Sequence, residues 1–463
     1  MTTNTDSETT LLTVAVWLRC GTLITFLAFM LAGLAGWTRG SAQAGLQPQQ
    51  ARLGERLFKD ARFSTSKGDF PASCSTCHLY DEDPQGRRAY ADFLNRSWVS
   101  YRFGDPRRNE LRNSPTIFDV AESPRLHFDG EFGSLEELVK GTFAGRPMGW
   151  LPGEQPQAFA QIQAIVLSDK GDESGAGSYR ELFRKTYGIE LEKLSRDEVV
   201  SLVARAVADF VRSLASERNS PWDQFIRINN LDAAPASGED AKAFARRLLA
   251  KVSGLENKSA LRLPKGFSAD ALRGLKFFFR TEGATPVGNC VACHAPPLFT
   301  DFSFHNIGIS QVEYDQMHGA GKFATLVIPD SAGAVRPSAR FRETPTREKP
   351  GEADLGFWNF VDLKSPSLRR SGESDDELLR RMIGAFKTPT LRHLAYTYPY
   401  MHTGAYGSLE DAVAEIMRLS EMARAGQVRE ADEELKRIRI SQSDIAPLVA
   451  FLGTLSGELN RNH

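Results

Sequence analysis

Cys74-Ser75-Thr76-Cys77-His78 and Cys290-Val291-Ala292-Cys293-His294 are two copies of one pattern, one in each half of the 463-residue chain. In Cys-x-x-Cys-His the two thiols can each form a thioether to a haem vinyl group while the adjacent imidazole reaches the iron. A zinc half-site or a redox-active Cys-x-x-Cys would share the cysteines. Zinc, however, wants four ligands in a local cluster, and a redox pair does not call for His in the next position. The reading is therefore two covalent haem c groups, attached at Cys74 and Cys77 and at Cys290 and Cys293, with His78 and His294 on the irons.

The fifth cysteine is Cys20, so no pair is left for a structural disulfide. It opens a stretch from Cys20 to Trp37 that carries no charge. Arg19 precedes that stretch, and Ala42-Gln43-Ala44 follows it as a small-x-small cleavage pattern. Residues 1–44 read as a signal peptide, with Gly45 opening the mature chain. Counted from Leu11 the apolar run is nearly long enough to span a bilayer, so an N-terminal membrane anchor is the alternative. Either way the globular part leaves the cytoplasm.

Lys and Arg number 57 against 58 for Asp and Glu. Such balance leaves no field that demands nucleic acid or an acidic membrane surface. The roughly 420 residues after the leader are too many for one compact core and imply two or three domains.

The halves echo each other. Ala51-Arg52-Leu53-Gly54-Glu55-Arg56-Leu57-Phe58 stands before the first haem motif and Ala271-Leu272-Arg273-Gly274-Leu275-Lys276-Phe277-Phe278 before the second. Both have helical spacing of apolar residues around one Gly, whose expected role is close approach to another helix or a haem edge. Behind each motif comes a closing helix, Val199–Leu214 after Ser195-Arg196-Asp197-Glu198 and Ile445–Leu455 after Ser441-Gln442-Ser443-Asp444. The expected fold is all-α, two cytochrome c-type haem domains from an internal duplication, with long irregular loops. The expected bounds are 45–227 for the N-terminal haem domain, 228–260 for a linker and an extra basic helix at Lys242–Val252, and 261–463 for the C-terminal haem domain. Residues 329–354, rich in Pro, Gly, Arg and Glu, read as a surface loop.

Across nearly the whole mature chain the sequence resembles the bacterial dihaem cytochrome c peroxidases and their MauG-like relatives. The resemblance rests on Leu111-Arg112-Asn113-Ser114-Pro115-Thr116, Phe128-Asp129-Gly130 and Ser220-Pro221-Trp222-Asp223 in the first half. In the second it rests on Cys293 through Asp301, Phe304-His305-Asn306, Phe386 through Arg392, and Tyr400-Met401-His402-Thr403-Gly404. It implies a periplasmic peroxidase in which peroxide reacts at the N-terminal haem and electrons enter at the C-terminal one. The implied partners are hydrogen peroxide and a small electron-donor protein, a cytochrome c or cupredoxin, with a homodimer left open. It also implies calcium between the domains, held by Asn113 and the carbonyls of Thr397 and Pro399; oxygen donors of these kinds suit that ion.

The sequence departs from the family in four places. No His lies in 95–111 to cap the N-terminal iron, which should therefore be open. Leu138 stands where the family has Gln, and Pro147 or Met148 stands near its Glu. Cleaving an O–O bond needs a proton shuttle and charge stabilisation, and Arg146 with Glu137 or His127 are the candidates. Phe128 replaces a Trp between the haems. The sixth ligand of the second haem is expected from the helix after the His-x-Gly loop, with Met417 favoured and Met401 and Met422 as rivals. Two other functions stay in view, a MauG-like oxidase of an aromatic residue in a partner protein and a non-catalytic dihaem electron carrier.

Overall fold

Gly54 and Gly274 each lie mid-helix, and the computed structural model shows what the missing side chains permit. The structure describes residues 46–68, 71–78, 112–171, 175 and 177–457. The leader 1–44 and the His-free segment 95–111 lie outside these residues.

In the first half the longer helices are α1 (Pro48–Phe58), α2 (Leu135–Phe143), α3 (Gln155–Ser168), α4 (Tyr179–Tyr187) and α5 (Arg196–Ser213). In the second they are α6 (Pro221–Ile228), α7 (Ala241–Asn257), α8 (Ala269–Phe279), α9 (Ile309–His318), α10 (Asp375–Arg381), α11 (Leu409–Arg424) and α12 (Gln442–Gly453). Among the described residues the one sheet is β1 (Phe304–His305) antiparallel to β2 (Phe386–Lys387). The fold is mostly helical, with few strands.

Helix α5 starts where the sequence says it should. Ser195 caps it in a reciprocal box with Glu198, satisfying two backbone donors that would otherwise lack partners. Its buried face, including Val199, Val203, Ala206, Val207 and Phe210, receives α1. The two backbones nearly touch: a Cβ on Gly54 would stand 2.0 Å from the Ala206 carbonyl oxygen. The second half repeats this with α8 on α12, where a Cβ on Gly274 would stand 1.9 Å from the Pro447 carbonyl oxygen. Only Gly allows either crossing.

Three buried clusters result. The first gathers α1 to α5, the second gathers α6 to α8 with α11 and α12, and the third packs Tyr314, Phe341, Trp358 and Leu378 beneath the long loop of the second half. Ser220-Pro221 ends the first cluster by opening α6 with another capping box, closed by Asp223. Trp222, 1% exposed, then begins the second, stacked on Phe279 at 5.7 Å. Residues 229–240 contain no helix, and α7 buries Phe244, Ala245, Leu248 and Val252 as packing. The 329–354 loop is a mixture of exposed and half-buried residues and is not free-standing. Phe341, on its single 3-10 turn, is 2% exposed in the third cluster.

Candidate functional site

Between β1, β2, α8, α11 and α12 lies a mainly apolar cavity of about 290 Å³, whose walls include Cys290, Cys293 and His294. His294 Nδ1 donates to the Phe299 carbonyl at 2.9 Å, which fixes the tautomer and leaves Nε2 as a lone-pair donor. Burial lowers its pKa, so the ring is neutral, the form that binds a metal.

The Phe386–Arg392 motif builds the wall behind this imidazole. Thr390 Oγ1 donates to the Leu298 carbonyl at 2.6 Å, and Arg392 Nε donates to that of Pro297 at 2.9 Å. The guanidinium, 2% exposed, also forms an ion pair with Asp223 at 2.8 Å. A buried charge of this kind persists only when paired. Thus α6 and the 294–300 loop are tied through one arginine.

His305 does something else. Its Nε2 meets Asp301 at 2.9 Å and its Nδ1 meets Asp432 at 2.8 Å. Burial alone would depress its pKa, but the two carboxylates push it up to about 12. With both nitrogens committed to aspartates, His305 is neither an iron ligand nor a free donor to a propionate.

In the first half Cys74–Cys77 form a one-turn helix that ends at His78. Burial, helped by the charge of His127, lowers the His78 pKa to about 4. Its Nδ1 is buried without a hydrogen-bond partner among the described residues. The following residues, 79–111, lie outside the described part of the chain.

No disulfide joins any of the four motif cysteines. The paired thiols and neutral imidazoles fit haem c, and the apolar cavity beside the second motif has the lining such a group needs; Cys74, Cys77 and His78 would hold one group and Cys290, Cys293 and His294 the other.

Asn113, Thr397 and Pro399 come together on the same cavity. Asn113 Nδ2 donates to the carbonyls of Pro399, at 2.6 Å, and Met401, at 3.3 Å. Its Oδ1 is buried and has no hydrogen-bond partner among the described residues. Turning the amide over would place three oxygens around one point, the donor set a hard cation takes.

The distal candidates are not gathered into one cluster. Glu137 is exposed at the third position of α2, where its N–H caps onto Ser134 Oγ. Arg146 is half-buried on a 3-10 turn with Met148. His127 is half-buried, 3.4 Å from Glu131. Leu138 packs against the first cluster. On α11 the cavity wall is made by Leu409, Ala412, Val413 and Ile416; Met417 packs against the second cluster and is not part of that wall, whereas Met401 is.

An ionic network went unforeseen in the sequence. Asp129, wholly buried, pairs with Arg112 at 2.5 Å, and Arg112 also grips Asp354. Arg342 extends the network to Glu131 at 2.8 Å. Lys387, half-buried between the halves, donates to Ser123 Oγ at 3.0 Å and to the Arg125 carbonyl at 2.7 Å. Arg112, Asp129 and Lys387 each fall in a family motif, but nothing in the sequence links them to Asp354 or Ser123.

Comparison with known proteins agrees with this geometry. Residues 48–230 match the family model for di-haem cytochrome c peroxidase. The chain is 25% identical over 418 residues to the cytochrome-c peroxidase IdrP2 of Pseudomonas sp. (strain SCT), covering 90% of this chain and 83% of that one. It is 27% identical over 414 residues to the methylamine utilization protein MauG of Methylorubrum extorquens, with 89% and 80% covered. To the cytochrome c551 peroxidase of Nitrosomonas europaea it is 31% identical over 346 residues, with 75% and 66% covered. The fold resembles that of the diheme peroxidase BthA from Burkholderia thailandensis, with a TM-score of 0.53 at 19% identity, covering 89% and 86%. It likewise resembles a MauG-like protein associated with microbial copper homeostasis, with a TM-score of 0.51 at 20% identity, covering 91% and 93%. The chain belongs to the family of di-haem cytochrome c peroxidases and MauG proteins.

Proposed function

We propose that the chain is an exported dihaem cytochrome c peroxidase. It reduces one hydrogen peroxide with two electrons and two protons to two waters. One observation carries the reading: in a chain of this family, each Cys-x-x-Cys-His motif lies between the two helices of a glycine-crossed pair and ends in a half-buried, neutral histidine. In this reading the two halves descend from an internal duplication, with haem domains 45–227 and 261–463 joined by 228–260.

When bound, each haem supplies the one-electron chemistry that side chains lack. The residues of the chain hold, orient and serve it. His78 and His294 present lone pairs to the irons, and electrons from a small cytochrome c or cupredoxin enter on the His294 side. Arg146 provides positive charge for the departing oxygen. His127, close enough for its charge to act on His78, is a better proton carrier than the exposed Glu137. Calcium at Asn113, Thr397 and Pro399 braces the two halves, and residues 1–44 direct the chain to the periplasm.

The test mixes the holoprotein and excess reduced small cytochrome c with hydrogen peroxide in a stopped-flow instrument. Two donor molecules oxidised per peroxide is the expected result. Peroxide consumed without donor oxidation in favour of an aromatic residue on a partner protein marks a MauG-like oxidase. Unconsumed peroxide marks an electron carrier.

A further inference from the structure

We propose that Asp119, Ser216 and His393 form a proton-operated latch between the two halves, closed while the His393 ring is neutral and released when that ring takes up a proton. The latch needs neither peroxide nor an electron donor, and so stands apart from the peroxidase reading.

One short structure occurs twice in the chain, and the latch joins its two copies. Pro115-Thr116-Ile117-Phe118-Asp119 in the first half matches Pro389-Thr390-Leu391-Arg392-His393 in the second. In each copy the threonine Oγ1 accepts from the backbone N–H two residues on, Phe118 N at 3.2 Å and Arg392 N at 3.0 Å. Each copy ends in a left-handed residue, Asp119 at φ +56° and His393 at φ +62°. Those residues open equivalent 3-10 turns, Val120–Glu122 and Leu394–Tyr396. A residue other than glycine holds such a conformation where its surroundings enforce it.

Ser216 supplies the enforcement. Lying between α5 and α6, it donates its backbone N–H to Asp119 Oδ1 at 2.9 Å and its hydroxyl to Asp119 Oδ2. The same hydroxyl oxygen stands 2.7 Å from His393 Nε2. A hydroxyl has one proton to give, and the carboxylate takes it, so the second bond runs from His393 Nε2–H to Ser216 Oγ. The Phe118 and His393 rings pack beside this chain with 5.6 Å between centroids. Asp119 is 6% exposed and His393 3%, so water does not compete for the bonds.

A charge on the ring works against this arrangement. Asp119 faces it from the first half, Arg218 from the segment after α5, Asp223 from α6 and Arg392 from its own segment. The Tyr396 ring lies 6.4 Å away, and the Leu455 carbonyl beyond α12 accepts from His393 N at 3.4 Å. Burial opposes the charge most, and the two guanidiniums oppose it further. Together they outweigh the two carboxylates and lower the pKa to about 4. A released ring would titrate near ~6.5. Between those values proton uptake favours the released ring.

Release has a mechanical consequence. His393 opens the turn that leads into Thr397–Met401, the stretch whose carbonyls Asn113 grips from the first half. The latch holds the start of that stretch and Asn113 its end, so acid frees one end of a connection between the halves.

The experiment follows hydrogen–deuterium exchange of peptides covering residues 394–404 in the full holoprotein, with rates corrected for the intrinsic effect of pH. From about pH 7.4 to about pH 4.8 wild type should lose protection roughly 40-fold, the factor that a pKa moving from about 4 to ~6.5 on release provides. His393→Asn keeps a side chain that tolerates the left-handed region and can donate to Ser216, but it has no proton to gain. Its protection should be equal at the two pH values. Ser216→Ala removes the shared hydroxyl, and residues 394–404 should then exchange faster than in wild type already at the higher pH. An acid loss of protection in His393→Asn equal to that of wild type overturns the proposal, because the proton then binds elsewhere. So does a wild type equally protected at both pH values, or a Ser216→Ala variant that exchanges like wild type at the higher one. The readout is independent of peroxide turnover, so failure here and failure of the peroxidase reading are distinct results.

Discussion

The carbonyl oxygen of Pro447 occupies the space where a side chain of Gly274 would begin, 1.9 Å from an ideal Cβ. The crossing of α8 and α12 is therefore set by one missing methyl group, as is that of α1 and α5 at Gly54. Gly274→Ala should destabilise the protein by about 1–3 kcal/mol through overpacking, despite the roughly 1 kcal/mol that Ala gains in helix propensity. Calorimetry on Gly274→Ala and Gly54→Ala checks this, and the visible circular dichroism of the haem next to the altered crossing should change first.

The Arg392–Asp223 pair gives a second expectation. Arg392 is 2% exposed on its side chain and Asp223 11%, so removing one partner strands a buried charge. Asp223→Asn should cost about 3–5 kcal/mol, and Asp223→Asn combined with Arg392→Met should recover most of that. The carboxylate pKa is lowered: burial alone would raise it, but the guanidinium overcomes that effect. The stabilisation it supplies is present above the unfolded carboxylate range near ~3.9 and lost as pH falls through the lower folded value. Urea midpoints of wild type and the double variant should therefore converge on acidification.

His305 titrates with the opposite sign. Its folded pKa of about 12 lies above the unfolded value near ~6.5, so its contribution is complete below that value and declines steadily as pH rises toward 12. Asp301 and Asp432 are both shifted down, and theirs is lost in acid. The stability gap between wild type and His305→Gln should be widest between about pH 4 and 6.5 and narrow at pH 8 and again at pH 9. A gap that grows with pH would contradict the charged imidazole.

Chelation tests the cation. With calcium 100-fold above its Kd the bound state gains about 2.7 kcal/mol, so exhaustive chelation should lower the melting temperature of wild type. Asn113→Leu should already melt lower and respond no further to chelator. Equal melting curves for wild type with and without chelator would remove calcium from the account.

The helices were legible because their signals are local. Ser195 with Glu198 marks the start of α5, and the spacing of Val199, Val203, Val207 and Phe210 gives its buried face within a few turns. The two haem motifs were legible because the chemistry needs three residues within five positions. The His305 clamp was not, since its second partner, Asp432, stands 127 residues from His305, and nothing around Asp432 marks it. Arg112 finding Asp354 across 242 residues is the same case. On α11 the difference is one residue: Ile416 and Met417 both pack against the second cluster, but only Ile416 lines the cavity, and an ungapped register cannot tell one from the other. The third cluster was hidden because the composition of 329–354 speaks of solvent, while Phe341 and Ala353 within it are buried.

Asn113 touches a single short loop three times. Its N–H donates to the His402 carbonyl at 2.8 Å, and its amide donates to those of Pro399 and Met401. A cation seated there would pull on the 399–402 loop, which also walls the cavity beside His294, so a change of charge inside that cavity would be felt at the cation. Thermodynamic reciprocity then sets an exchange rate: every 59 mV or so by which the cation shifts the one-electron potential returns as about a tenfold difference in cation affinity between ferric and ferrous protein. An ion that never changes its own charge would thereby register whether an electron has arrived.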